Sequence, residues 1–239
     1  MPVLYDNINY KEINRHKNIN NNLVDTIFDG ICSSITMKDV LEKIKVKDIN
    51  TLRKVILFLS DNIGNITSLN NVKNVLKNEI KGNSIHLNTL ENYISSLQNA
   101  YLFYEVKRYD IKGKDLLKTL NKYYIIDLGL RNYLLNNYNN RGRILENIVY
   151  LELIRRDYKV NIGKFDSTEV DFIAMKENKQ LYIQVAETMI GEETRKRELK
   201  PLKLINDNYE KIVISMDEIF LGDIDNGIQH KNIINWLLE

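Results

Sequence analysis

The chain has 239 residues, 44% of them hydrophobic and 28% charged, which is typical of a globular protein with one large or two small domains. No apolar run reaches the ~20 residues of a membrane-spanning helix, and the single cysteine, Cys32, excludes an internal disulfide, so we expect a reducing, cytoplasmic location without a membrane partner. The net charge of +2 hides an asymmetry, because residues 1–126 carry 18 basic and 13 acidic side chains and residues 127–239 carry 16 and 19. This difference indicates two domains.

The first predicted domain covers residues 22–126 and follows a polar, asparagine-rich lead-in at residues 1–21. Helical periodicity runs through LVDTIFDGICSSITMKDVLEKI, and Asp48 is placed to cap a second helix, INTLRKVILFLSDNIG. Two shorter helical patterns follow, opened by the cap-forming residues Ser68 and Asn88. Two β-rich runs around a Lys-Gly-Lys turn then predict a hairpin.

Three helices followed by a hairpin are the order of a winged helix-turn-helix domain. Its recognition helix would lie near residues 86–99 and the tip of its wing near residues 110–115. The recognition helix offers no arginine or lysine on its exposed face, so contact with the DNA backbone is expected without readout of the bases. Packing of this domain against a protein is the alternative. The candidate nucleic-acid-binding residues are Lys107, Arg108, Lys112 and Lys114.

The second predicted domain covers residues 127–239 and has the pattern of an α/β core. A helical run, LGLRNYLLNNYNNRGRILENIVYLELIRRDY, precedes the strands KVNIGKF, STEVDFIAMK and QLYIQVAE. The helix EETRKRELKPLKLIND, the strand EKIVISMDE and the helix HKNIINWLLE follow. A strand–helix–strand crossover of this length predicts that the last two strands are parallel. The predicted fold class is therefore a two-domain α+β or α/β protein whose second domain holds a mixed sheet flanked by helices.

Two common kinds of ligand site are not expected. The Gly-Lys pairs at residues 113–114 and 163–164 lack both the earlier glycine and the following serine or threonine of a phosphate-binding loop, so we expect no ATP binding. The three histidines, His16, His86 and His230, are far apart in the sequence and no second cysteine exists, so we expect no zinc site.

Asp171 is an acidic residue within an otherwise apolar strand, a position that is costly unless the carboxylate is paired, hydrated or bound to a metal. Together with Glu146 on the preceding helix and Gln184 on the next strand, it could supply the oxygen ligands that Mg²⁺ requires for phosphodiester cleavage. Gln184 and Ala186 share one face of their strand. The alternatives are that Asp171 pairs with a lysine or arginine at a sheet edge and that Glu146 is solvated or caps a loop.

Several segments carry a resemblance to a known family: GRILENIVYLELIRRDYKV, EVDFIA, LYIQVAE, ETRKRELKPLKLIND and KIVISMDE, with TLENYISSLQNAYLFYEVKRYDIKGKDLLKTLNKYYIIDLGLRN before them. Residues 22–239 thus resemble the C-terminal part of prokaryotic AAA-type ATPases of the domain-of-unknown-function 4143 group. The resemblance implies a winged helix, a restriction-endonuclease-like domain of the PD-(D/E)XK type, and an N-terminal ATPase domain that this chain lacks. It makes residues 1–21 a remnant of that ATPase domain and Met1 an internal methionine of a longer reading frame.

The resemblance also assigns roles to single residues. Glu146 matches the helix carboxylate of the nuclease site, Asp171 the strand aspartate and Gln184 the second acidic position, with Asp171 and Gln184 as Mg²⁺ ligands. Ala186 falls where active nucleases of this type keep a lysine. Two functions stay open: a catalytically inactive module that binds nucleic acid or protein alongside an ATPase supplied in trans, and a Mg²⁺-dependent DNA endonuclease that uses Glu146, Asp171 and Gln184.

Overall fold

The structure, a computed structural model, describes most of the chain. The lead-in and most of the first predicted helix lie outside the described residues. None of the helices within the described part has the length and apolar character that crossing a bilayer requires. The described stretches are residues 26–30, 48–79, 85–117, 119–136 and 139–239.

The chain divides into two units, and it passes between them three times. Unit 1 consists of Met1–Glu105 and Tyr123–Asn139, and unit 2 of Val106–Lys122 and Asn140–Glu239. The sequence predicted a single boundary after residue 126. The difference arises because residues 108–110 form a strand that pairs with the sheet of unit 2, and the chain returns to unit 1 only afterwards.

Unit 1 is helical and includes a small two-stranded sheet. Its helices bury an apolar core that contains Leu52, Leu59, Leu90 and Leu97. In chain order its elements are α1 (Ile49–Asp61), α2 (Leu69–Glu79), α3 (Leu87–Asn99), β1 (Phe103–Val106), β4 (Lys122–Ile125) and α4 (Leu128–Leu135), with β1 paired to β4.

The helix starts of unit 1 follow local capping chemistry. Asp48 Oδ1 accepts the N–H of Thr51 at 3.1 Å, as its position before α1 predicted, and Ser68 Oγ accepts the N–H of Asn71 at the start of α2. Asn88 does not cap α3, because the helix begins one residue earlier and His86 holds the cap position.

Removing the cap of α1 provides a test of this local energetics. We expect Asp48→Ala to lower the free energy of unfolding of unit 1 by about 1 kcal/mol, because the carboxylate that accepts two hydrogen bonds from Thr51 is removed. Asp48→Asn retains an acceptor oxygen and should keep most of the stability. Thermal unfolding followed by far-UV circular dichroism measures the difference, and equal melting temperatures for the two variants would contradict the capping role.

Unit 2 is built on one eight-stranded mixed sheet. In chain order the elements are β2 (Arg108–Asp110), β3 (Asp115–Leu116), α5 (Arg141–Arg155), β5 (Lys159–Phe165), β6 (Thr168–Lys176), β7 (Lys179–Val185), α6 (Glu192–Leu204), β8 (Glu210–Ser215), β9 (Gly222–Asp225), β10 (Ile228–Asn232) and α7 (Ile233–Leu238). The strand order is β3-β2-β5-β6-β7-β8-β10-β9. The pairs β5–β6 and β6–β7 are antiparallel, and β7–β8 is parallel, as the crossover predicts.

Three features of unit 2 differ from the sequence expectations. The hairpin of β2 and β3 forms where it was predicted, but β2 pairs in parallel with β5 and so belongs to the large sheet. The long helical run after residue 127 is two helices, because Asn136 and Asn140 adopt left-handed backbone conformations between them. The strands β9 and β10 were not predicted, and residues 230–232 form the end of β10 and not the start of the last helix.

Candidate functional site

Three carboxylates surround the ammonium group of one buried lysine in unit 2. Lys122 Nζ lies 2.9 Å from Glu146 Oε1, 2.6 Å from Glu169 Oε1 and 3.7 Å from Asp171 Oδ1. The lysine side chain is only 4% exposed. Its ammonium has therefore exchanged nearly all of its water for these carboxylates, and we call the four residues the Lys122 cluster.

Regular elements hold each member of this cluster in place. Glu146 lies on α5, between the buried residues Leu145 and Asn147. Glu169 and Asp171 are two residues apart on β6, so both side chains project from the same face of the strand. Strand β4 begins at Lys122 and continues through residues 123–125, which are all buried. The sequence-predicted residues Glu146 and Asp171 are thus brought together, and Lys122 joins them.

The electrostatics of Asp171 reflect its burial. Its Oδ2 accepts the N–H of Val185 at 2.8 Å. Burial, reinforced by the negative charge of Glu146, raises the pKa of Asp171 to about 8, although Lys122 opposes the increase. Burial also acts to lower the pKa of the Lys122 ammonium, but the charges of Glu146, Asp171 and Glu169 outweigh it and hold that pKa above its ordinary value.

Gln184 is fixed beside Asp171 by hydrogen bonds at both ends of its amide. Its Oε1 accepts the N–H of Asp171 at 3.4 Å, and its Nε2 donates to Glu198 Oε2 at 2.9 Å. Arg197 holds the other oxygen of Glu198 at 2.7 Å. Ala186 is buried, and its N–H donates to the Ile214 carbonyl. Gln184 therefore connects β6 to α6, and the strand position of Ala186 offers no functional group.

The residues expected to bind Mg²⁺, Asp171 and Gln184, do not fit that ion in this arrangement. Mg²⁺ needs several oxygen ligands at ~2.1 Å in octahedral geometry. The Gln184 oxygen faces the Asp171 N–H, and Lys122 Nζ lies among the carboxylates. Glu169 Oε2 is buried without a hydrogen-bond partner in the described part of the chain, but it is one oxygen only. Across the described ranges, no three histidine, cysteine, aspartate or glutamate side chains are arranged to hold a metal.

The predicted nucleic-acid-binding cations lie on or beside the β2–β3 hairpin. Lys107 directly precedes β2, Arg108 begins it, and Lys112 and Lys114 lie in the turn. Lys112 pairs with Asp166 at 3.2 Å, whereas the other three have no ion-pair partner among the described residues. The turn itself is organised by Asp110, whose pKa the Gly113 N–H holds below its ordinary value. All four cations therefore lie at one edge of the sheet.

A serine, a histidine and an aspartate also lie close together in unit 2, but their geometry indicates a structural role. His230 Nδ1 lies 2.8 Å from the Phe220 carbonyl, which only accepts, so Nδ1 carries the proton in the neutral ring and Nε2 accepts the hydroxyl proton of Ser215 at 2.8 Å. Asp217 faces Nε2 and not Nδ1, at 3.9 Å. Ser215 and His230 are both buried. The grouping ties β8 to β10 and does not form a hydrolase triad.

Sequence reasoning missed Lys122, Glu169 and Glu198. Lys122 is 24 residues before Glu146, and the residues that follow it in the sequence belong to unit 1. Glu169 could have been predicted, because it lies two residues before Asp171 on a strand and its side chain therefore projects from the same face. Glu198 lies in a strongly charged helix, where the sequence gives no means of separating the one buried glutamate from its solvated neighbours.

Comparisons with known proteins correct the expected family. A family model described as "Domain of unknown function (DUF8612)" matches residues 8–141. An uncharacterized protein of Haemophilus influenzae is 44% identical over 221 residues, which cover 91% of this chain and 53% of that protein. An uncharacterized protein of Methanocaldococcus jannaschii is 33% identical over 215 residues, which cover 85% and 46%. No solved structure matches the chain.

The resemblance to the ATPases of the 4143 group was therefore wrong, because the matching family is a different one and neither relative is named as an ATPase or a nuclease. The chain spans about half the length of the curated relatives it matches.

Proposed function

The chain belongs to the family described as Domain of unknown function (DUF8612), and from the geometry of unit 2 we propose that it is a non-catalytic nucleic-acid-binding module on a nuclease-like scaffold. The observation that carries the proposal is the Gln184 amide, which is bound at both ends within the protein at the position where a nuclease needs a free acidic oxygen. The group of cations at the β2–β3 hairpin supports nucleic acid as the partner.

The order of elements supports a nuclease-like fold for unit 2 and a winged helix for unit 1. Helix α5, the antiparallel strands β5, β6 and β7, helix α6 and the parallel strand β8 follow one another as a nuclease-like core requires. In unit 1, three helices followed by the β1–β4 ribbon support a winged helix. On this interpretation residues 107–121 are a long insertion at the tip of the wing.

The lack of catalysis follows from chemistry at two positions. Gln184 is neutral, and its oxygen accepts a backbone N–H, so it neither attracts a cation by charge nor faces one. Ala186 supplies no amine to activate water. Lys122 does not replace that amine, because two of its carboxylate partners hold its ammonium at hydrogen-bonding distance. A hydrolytic step would require at least one of these groups to be free.

Nucleic acid is favoured as the partner because four cations lie on or beside one short hairpin. Lys107, Lys112 and Lys114 are exposed, and Arg108 is half-buried with its Nε lacking a hydrogen-bond partner in the described part of the chain. Phosphate oxygens are the acceptors that such groups bind without regard to base sequence. The hairpin also carries acidic side chains, so we expect moderate, strongly salt-dependent affinity.

Binding can be tested at two lysines that have no ion pair within the described residues. We expect the double variant Lys107→Ala/Lys114→Ala to bind double-stranded DNA more weakly and to reduce the slope of log affinity against log salt by about 2, one for each phosphate that a lysine no longer neutralises. Fluorescence anisotropy across a salt series measures both quantities. Lys179→Ala, which changes an exposed lysine at the start of β7, is the matched control and should leave the slope unchanged. A salt-independent response would indicate a protein partner instead.

Catalysis is tested separately. We expect no cleavage of plasmid or single-stranded DNA when the purified protein is incubated with Mg²⁺ or Mn²⁺. The same incubation with Asp171→Ala is the control for contaminating nucleases. Cleavage by the wild-type protein that Asp171→Ala abolishes would refute the non-catalytic assignment and establish the Mg²⁺-dependent endonuclease.

A further inference from the structure

We infer that the ammonium of Lys122 is the resident cation of the carboxylate site in unit 2 and that it excludes divalent metal ions from that site. The inference deepens the proposed function, and it rests on the nuclease-like interpretation only for the identity of the ion that is replaced. A metal-dependent nuclease gathers carboxylates around an ion taken from solution. In this protein, the carboxylates surround a cation that the chain itself supplies.

The contacts of Lys122 have the character of ion coordination. Two carboxylate oxygens, from Glu146 on α5 and Glu169 on β6, lie at 2.9 and 2.6 Å, the range of charge-assisted hydrogen bonds. Asp171 Oδ1 lies farther away, at 3.7 Å, beyond hydrogen-bonding distance. Acidic side chains from two separate elements thus converge on a single nitrogen atom that is almost completely removed from water.

A divalent ion and this ammonium compete for the same oxygens. Mg²⁺ bound to the carboxylates would need contacts of ~2.1 Å with at least some of the oxygens that Lys122 now holds. It would also stand within a few ångströms of a positive charge in a poorly solvated environment, where repulsion between like charges is only weakly screened. Because Lys122 is covalently attached, its effective concentration at the site does not depend on the composition of the solution.

Metal binding to the wild-type protein is the first test. Mn²⁺ titration followed by electron paramagnetic resonance, with unfolding followed by Trp236 fluorescence, should give no saturable binding that depends on Asp171 and no specific stabilisation. Trp236 is the chain's only tryptophan and lies in unit 2, so its emission reports this unit. Saturable Mn²⁺ binding at millimolar or lower concentration that is abolished in Asp171→Asn would overturn the inference.

Removing the lysine should convert the site into a metal site. In Lys122→Met, which keeps a side chain of similar length without its charge, we expect Mn²⁺ to bind and to raise the unfolding temperature. NaCl at equal ionic strength should not do so. The effect should disappear in Lys122→Met/Asp171→Asn. If Lys122→Met folds and Mn²⁺ gives no more stabilisation than NaCl, the resident-cation role is wrong.

A second variant covers the case in which Lys122→Met does not fold. Lys122→Met/Glu169→Gln restores the formal charge of the wild-type cluster while leaving Glu146 and Asp171 as ligands, and it should also gain Mn²⁺-dependent stabilisation. These readouts use no DNA. Loss of DNA binding would therefore remove the proposed function and leave the resident-cation inference intact, and Asp171-dependent Mn²⁺ binding by the wild-type protein would do the reverse.

Discussion

Lys122→Met is expected to lower the free energy of unfolding of unit 2 by about 3–5 kcal/mol in the absence of metal. Breaking a buried ion pair by removing one partner leaves the other charge desolvated and uncompensated, which is the reason for the large effect. Here three carboxylates are left without their common partner. Urea unfolding followed by Trp236 fluorescence measures the change, because this single tryptophan lies in α7 of unit 2.

The matched control is Lys164→Met. Lys164 lies on β5 of the same sheet and pairs with Asp110 at 3.9 Å, with a third of its side chain exposed. Solvent screens such a pair, so its removal should change the unfolding free energy by no more than about 0.5 kcal/mol. A decrease below about 1 kcal/mol in Lys122→Met would mean that the carboxylates relax into water and that the Lys122 cluster does not stabilise the fold.

Much of the architecture was predictable because it depends on the residue pattern within short segments of the sequence. The capping position of Asp48 and the alternation of β6 around Asp171 are properties of short segments. The parallel pairing of β7 with β8 follows from the length of the crossover helix alone. Glu146 and Asp171 could be paired as candidates because an acidic residue among apolar neighbours must find a partner.

The partner itself could not be predicted from the sequence. The Lys122 ammonium reaches the site because β2 and β3 leave the helical unit, join the edge of the sheet at β5 and return the chain at residue 122. That path depends on pairing between residues 108–110 and residues 162–164, more than fifty positions apart. The spacing of apolar residues along the sequence does not indicate such a long-range contact. The alternative left open for Asp171 was pairing with a lysine or arginine at a sheet edge. Lys122 Nζ does lie 3.7 Å from its carboxylate, but β6 is a central strand and not an edge.

The edge of the sheet beyond β8 was missed for a different reason. Residues 230–232 end β10 and are followed directly by α7. The apolar spacing of the helix therefore led to a predicted helix that began three residues too early, within the strand. His230 is buried because its two ring nitrogens are satisfied by Ser215 and the Phe220 carbonyl, partners that only the folded sheet provides. A polar residue whose burial depends on tertiary hydrogen bonds looks exposed in the sequence.

Asp171→Asn is expected to remove a decrease in stability that the wild-type protein suffers as pH rises. The folded-state pKa of Asp171 is raised, chiefly by burial, to about 8, whereas the unfolded chain has the ordinary value of ~3.9. Between these values the folded state binds one more proton than the unfolded state, so the stabilisation present below pH ~4 decreases as pH rises toward 8. If the folded state held one extra proton over the whole interval from pH 5 to pH 8, the free energy of unfolding would decrease by ~4 kcal/mol. Because the protein relaxes around the charged carboxylate, we expect a decrease of about 2 kcal/mol over this interval.

The variant should therefore be close to the wild-type protein in stability at pH 5 and more stable at pH 8. Asparagine retains an oxygen that can accept the Val185 N–H, so the hydrogen bond that positions residue 171 is preserved. Urea titrations at several pH values, followed by Trp236 fluorescence, give the difference in unfolding free energy between the two proteins. If the wild-type protein instead gains stability over the variant as pH rises, attraction to Lys122 dominates over burial and over repulsion from Glu146. In that case the ionised carboxylate belongs to the ground state of the site.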